Sequence, residues 1–180
     1  MAKLKFNPEK LWFHYDRPLS SSGMESNIYS IGNGLVGKCL KGEDFLLKGD
    51  SVEEILKYED KVSQESFKER ISVPQPYGVF LIRERNTGEF FPTFVMQKIF
   101  SLEPFYWSLK DIRKIEEDSR LEIEKAKSLG FIPSLDSGEF ANVIYGKIDP
   151  SFKRNKVFLN DFRYWKNEKL GLIPPKPMIF

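Results

Sequence analysis

The chain has 180 residues, 41% hydrophobic and 14% aromatic, which suits one globular domain or two small lobes with a core that needs no disulfide or metal staple. Its 28 Lys+Arg against 26 Asp+Glu leave a net charge of +2, so bulk charge points to neither a nucleic-acid nor a membrane partner. One cysteine, Cys39, excludes an internal disulfide and a multi-cysteine zinc site; one histidine, His14, excludes a His-rich metal site and would have to be the base of any Ser-His-Asp triad.

Residues 1–22 hold an aromatic cluster, "LWFHYD", and then "SSSG", which reads as an N-terminal extension ending in a joint, with His14 in a packed or surface aromatic cluster. No apolar stretch follows "MAKLKF", and no run of about 18 apolar residues occurs, so neither a signal peptide nor a membrane span is expected. The expected setting is a reducing cytoplasm, or a host cell's if the protein is a secreted effector.

From Asn27 the pattern turns to strands: "NIYSI", "LVGKCLK" and "FLLK", with Lys41–Asp44 as a turn. "SVEEILKYEDKVSQESFKERI" predicts a helix, with Ser51 as cap, Glu54 completing a capping box, and Val52, Ile55, Leu56 and Val62 on one face. "VPQPYGVFLIRERNTGEFFPTFVMQKIF" predicts two strands joined at Asn86-Thr87-Gly88, and "SLKDIRKIEEDSRLEIEKAKSLGF" predicts one or two helices stopped by Gly130. "NVIYGKI" and "KVFLNDF" are short β runs joined by "DPSFKRN", and the tail "GLIPPKPMIF" is too proline-rich for a helix or a central strand.

Gly32, Gly34 and Gly37 carry the spacing G-x-G-x-x-G, a weak signal alone. A dinucleotide-binding turn would open a helix, whereas these glycines lead into an alternating hairpin. A glycine hairpin followed by a strand that ends in a lysine, Lys48, matches the phosphate-covering loop of a protein kinase.

On these residues the sequence resembles the protein kinase-like superfamily over about 140 residues. The resemblance implies an α+β fold, with a β-sheet N-lobe holding one main helix (23–100) and a reduced helical C-lobe (101–180). It implies that Gly32, Gly34 and Gly37 contact ATP, that Lys48 meets the α- and β-phosphates, and that Glu59, or its rival Glu65, pairs with Lys48. Met96 would be the gatekeeper, with backbone groups of Gln97, Lys98 and Ile99 against adenine. "NVIY" followed by "VFLNDF" is similar to the pair of segments whose asparagine and aspartate hold magnesium, here Asn142 and Asp161. The residue types suit the task, because a triphosphate needs cations, backbone N–H donors and a hard metal on oxygen ligands.

The pattern also departs from that family. "FIPSLDSGEFANVIY" has no His-Arg-Asp; Asp136 is the candidate base, six residues before Asn142 where the family spacing is five. Asp161-Phe162-Arg163 replaces Asp-Phe-Gly, and 19 residues follow Asp161, a layout similar to short bacterial effector kinases. The expected activity is ATP- and Mg²⁺-dependent phosphoryl transfer to a hydroxyl, more readily on a protein than on a small molecule. The alternative is a pseudokinase or nucleotide-binding regulatory module. A protein substrate, a partner covering the shortened C-lobe or a homodimer is expected, and no membrane. From Lys147 to Phe180 eight Lys/Arg face three Asp/Glu, so a third reading is nucleic-acid binding through that basic end with Phe152, Phe158, Tyr164 and Trp165.

Overall fold

A computed structural model describes residues 6–19, 26–40, 51–101, 108–132, 143–163 and 165–174. It is a mixed α+β structure whose described residues form two α-helices, a five-stranded sheet and a second, three-stranded sheet. The chain divides into two compact units, residues 1–57 with 77–96, and 58–76 with 97–180.

In the first unit, strands β1 (Trp12–Phe13), β2 (Ser26–Gly32), β3 (Leu35–Leu40), β4 (Pro76–Glu84) and β5 (Phe90–Gln97) lie in the order β1-β4-β5-β3-β2. The segment expected to be an extension supplies an edge strand, with Trp12 and Phe13 pairing in parallel with Arg83 and Glu84. Leu11 and Phe13 are buried while Trp12 faces out, its ring beneath the Arg85 guanidinium. The sheet curls until its edges meet. The Phe13 and Tyr29 rings lie 4.6 Å apart, and the Leu19 N–H donates to the Ile28 carbonyl at 2.7 Å. One apolar cluster, with Leu11, Phe13, Tyr29, Leu35, Cys39, Ile82 and Val95, fills the curl; a second joins Val36, Phe94 and Met96 to Leu56 of helix α1 (Ser51–Lys68). With apolar neighbours on both faces, β3 is buried from Leu35 to Cys39.

The turn from β4 to β5 is held by a buried carboxylate. Glu84 accepts from the N–H groups of Thr87, Asn86 and Tyr15 at 2.6, 2.8 and 3.2 Å and from the Thr87 hydroxyl at 3.0 Å. These donors, the Thr87 N–H foremost, hold its carboxyl below the usual range against the opposing effect of burial.

In the second unit, α2 (Leu109–Ser128) is one continuous helix, started by a Ser108/Asp111 capping box. Gly130, at φ +90°, ends it in a Schellman turn, with the Phe131 N–H on Ala126 and the Gly130 N–H on Lys127. Helix α1 ends in the same bond pattern with Arg70 in the left-handed position, where glycine is usual. Strands β6 (Phe100–Ser101), β7 (Val143–Lys147) and β8 (Lys156–Leu159) form the smaller sheet, with Val143 opposite Leu159. The core joins Val62, Ile71, Ile123, Phe131, Leu159, Phe162 and Trp165. No helix among the described residues is long and apolar enough to cross a membrane.

Candidate functional site

The glycine motif is a tight hairpin, as its alternation predicts. Gly32 pairs with Leu35, so Asn33 and Gly34 alone make the turn, at φ +54° and +70°. Two central residues with positive φ give a type I′ turn, whose twist matches the flanking strands. The glycines serve different ends. Gly32 and Gly34 meet the positive φ, and a Cβ at either has nothing within 4 Å, so the tip stands open to an approaching group. At Gly37 a Cβ would lie 2.5 Å from the Thr93 Cγ2 and 3.3 Å from the Ile31 Cγ2, so the third glycine lets β3 lie against β5. Next to it, the Cys39 sulfur contacts the Thr93 hydroxyl at 3.3 Å.

Within the second unit, three charged residues converge. Glu59 is fully buried on α1, on the stripe that also carries Val62, Ser63 and Ser66, while Glu65 lies toward solvent with Lys68 at 2.6 Å. Of the two glutamates the sequence leaves open, Glu59 is the inward one. The Arg163 Nε lies 3.9 Å from Glu59 Oε2, and its Nη2 lies 3.4 Å from Asp161 Oδ1. Arg163 is 4% exposed and the Asp161 side chain 29%, so the arginine is interior and the aspartate reaches solvent. Such a cluster persists only where the charges compensate one another.

Two features fix this arrangement. Phe162, between the charged pair, is buried with its ring 5.0 Å from that of Trp165, and the Tyr58 hydroxyl of α1 donates to the Trp165 carbonyl. Asp161 itself sits at φ +59°, a strained conformation for a residue with a Cβ. Burial pushes the carboxyl of the neighbouring Asp60 up; the Gln64 amide opposes this and the Glu59 charge adds to it.

Met96 is buried among Val36, Leu56 and Phe94. The Gln97 N–H donates to the Gln75 carbonyl at 2.9 Å, Ile99 is half-buried, and the Lys98 ammonium lies 5.2 Å from the centre of the Phe100 ring. Lys48, Asp136 and Asn142 lie outside the described residues. Among the described residues no group of three or more His, Cys, Asp and Glu side chains is placed to hold a metal; of the two residues expected from the sequence to hold magnesium, Asp161 lies among the described residues and Asn142 does not.

The aromatic residues of the basic end differ in exposure. Phe158 and Trp165 are 4% exposed and belong to the core, Phe152 alone is open at 53%, and Tyr164 lies outside the described residues. Of the aromatic residues named for the nucleic-acid reading, two are thus taken up by the core.

Two cations are buried whose burial the sequence did not signal. Arg163 registers there only as a lost glycine, and Lys38, 2% exposed, is the buried lysine among the described residues. By alternation Lys38 shares the helix-covered face of β3 with Val36 and Leu40. Comparison with protein-family models finds no match, and comparison with curated proteins finds none.

Proposed function

We propose that the chain is a minimal kinase-like phosphotransferase that binds ATP with magnesium and phosphorylates a hydroxyl, most readily on a protein. The observation that carries this reading is the Asp161-Phe162-Arg163 segment. An aspartate in a strained left-handed conformation at the end of a β-strand, tied through an arginine to a buried helix glutamate, is costly to keep, and such strain clusters at functional sites. The residue types fit the ligands. Asp161 offers a hard, solvent-reaching carboxylate, and magnesium needs only one or two carboxylates beside substrate phosphates.

In this reading Asp161 holds the metal with Asn142, and Arg163 fixes the Asp161 side chain by occupying Oδ1. The open tip at Gly32–Gly34 would let backbone N–H groups approach phosphate oxygens, and Lys48 would add fixed positive charge. Met96, Gln97 and Ile99 flank the base, and Asp136 receives the proton of the acceptor hydroxyl. ATP, when bound, supplies the phosphoryl group, and magnesium offsets its negative charge.

A melting series with MgATP, ADP and no nucleotide tests the reading. At 100 times its dissociation constant a ligand adds about 2.7 kcal/mol, which for a chain of this size raises the midpoint by roughly 5–10 °C. No shift at millimolar MgATP would overturn nucleotide binding. Asp161→Asn should weaken the magnesium-dependent part of the shift. The Arg163–Asp161 ion pair also favours a second reading, a pseudokinase whose metal ligand is already partly neutralised. Wild-type protein that binds MgATP but transfers no radiolabel to itself or to a generic protein substrate would select it.

A further inference from the structure

Outside that site, the second unit holds a pocket of about 570 Å³ between α2, β7 and the turn leading into β8. Its charged lining is unbalanced. Four cations, Lys114, Lys153, Arg154 and Lys156, face two carboxylates, Asp111 and Asp118. Both carboxylates are already committed. Asp118 holds Lys114 at 2.8 Å, and Asp111 accepts from the Ser108 N–H and hydroxyl at 3.0 and 2.6 Å in the cap of α2. Lys153, Arg154 and Lys156 therefore have no carboxylate within ion-pair distance among the described residues. Between them in the chain, Asn155 also lines the pocket, and its Oδ1 is buried without a hydrogen-bond donor.

Three like charges within four consecutive residues repel one another, and an anion seated among them relieves that repulsion. The volume falls in the range of small-molecule sites, and the charged ends of Lys114, Lys153, Arg154 and Lys156 among its lining residues suit an anion. Arginine's planar fork matches the oxygens of a phosphate, and flanking lysines add point charges. We propose that this pocket is a binding site for a phosphate monoester, held by Lys153, Arg154 and Lys156 with the Asn155 amide completing its hydrogen bonds. The group arrives either on a small molecule or on a phosphorylated side chain of a protein. The proposal is independent of ATP binding, because it uses none of the residues assigned to the nucleotide.

Calorimetric titration of the full chain tests it, with inorganic phosphate, glycerol phosphate, and a phosphoserine peptide beside its unphosphorylated form as probes. The comparison is wild type against K153Q/R154Q/K156Q, each titrated with and without saturating MgATP. All three substitutions are at exposed positions, and R154Q alone provides the readout if the triple variant does not fold. The expected result is at least about a ten-fold loss of phosphate affinity in the triple variant, about three-fold in R154Q, with affinity falling as salt rises. The MgATP melting shift should stay unchanged. A phosphopeptide binding tighter than glycerol phosphate identifies a protein source, and the reverse identifies a metabolite. Phosphate binding that is absent, equal in wild type and variants, or abolished by MgATP would overturn the proposal. A missing MgATP shift would overturn only the phosphotransferase reading.

Discussion

Replacing Arg163 by methionine should destabilise the protein through Glu59. Methionine keeps much of the stem volume, so the cavity contribution is small and the loss is chiefly electrostatic. Glu59 is fully buried and Arg163 is 4% exposed, so the pair is not screened as a surface pair would be. Removing one partner of a buried ion pair costs about 3–5 kcal/mol. The separations of 3.9 Å to Glu59 and 3.4 Å to Asp161 exceed those of strong charged hydrogen bonds, which puts the loss near the lower end, about 3 kcal/mol. For 180 residues that lowers the melting midpoint by roughly 6–12 °C. The assay is a double-mutant cycle of Arg163→Met, Glu59→Gln and both, followed by circular-dichroism melts and urea titration. Once Glu59 is neutral, losing the arginine should cost less, so the double variant should be more stable than additivity predicts by at least about 1 kcal/mol. Additivity within about 0.5 kcal/mol would refute the reasoning, since the two side chains would then act independently.

The remaining predictions concern the first unit. Gly37→Ala should cost about 1–3 kcal/mol, because its Cβ meets Thr93, whereas Gly34→Ala should cost only the left-handed strain of about 1 kcal/mol; the reverse order in thermal melts would place the constraint in the turn. Glu84 has a folded-state pKa below its unfolded value, so its stabilisation is fully present above about pH 4.3 and is lost as pH falls through the folded value. Urea midpoints against pH should accordingly show a shallower acid limb in Glu84→Gln than in wild type. Burial pushes the Cys39 thiol up to about 11, so a thiol reagent at pH 8 should leave the native protein unlabelled and modify one equivalent after unfolding; rapid native labelling would show that β3 opens.

Much of the local structure was legible in the sequence because it is encoded locally. Alternation around Asn33-Gly34 specifies the hairpin, Gly130 stops α2, and the runs at 143–147 and 156–159 pair as neighbours. Strand β1 was not legible as a strand. Two residues carry almost no periodicity, and their pairing with Arg83 and Glu84 spans about 70 positions, so only the finished core makes the choice. The third glycine was legible as part of a motif but not for its cause, because Thr93 lies 56 residues away.

The candidate site was legible in its acids and not in its arginine, and the reason is physical. Helical periodicity locates a buried face by its apolar residues, yet the inward stripe of α1 includes Glu59, Ser63 and Ser66 beside Leu56 and Val62. A stripe that is more than half polar leaves Glu59 and Glu65 equivalent on paper, and only the partner that crosses from another element separates them. That partner is Arg163, which follows Asp161 by two positions and reaches Glu59, about 100 positions earlier, while keeping hold of Asp161. A glycine there would give the segment conformational freedom, whereas arginine ties its aspartate to the helix. The substitution that looked like a departure from the kinase pattern is therefore a linkage. Arg163 lies within ion-pair distance of both acids, and the double-mutant cycle measures the strength of the Glu59 side of that linkage.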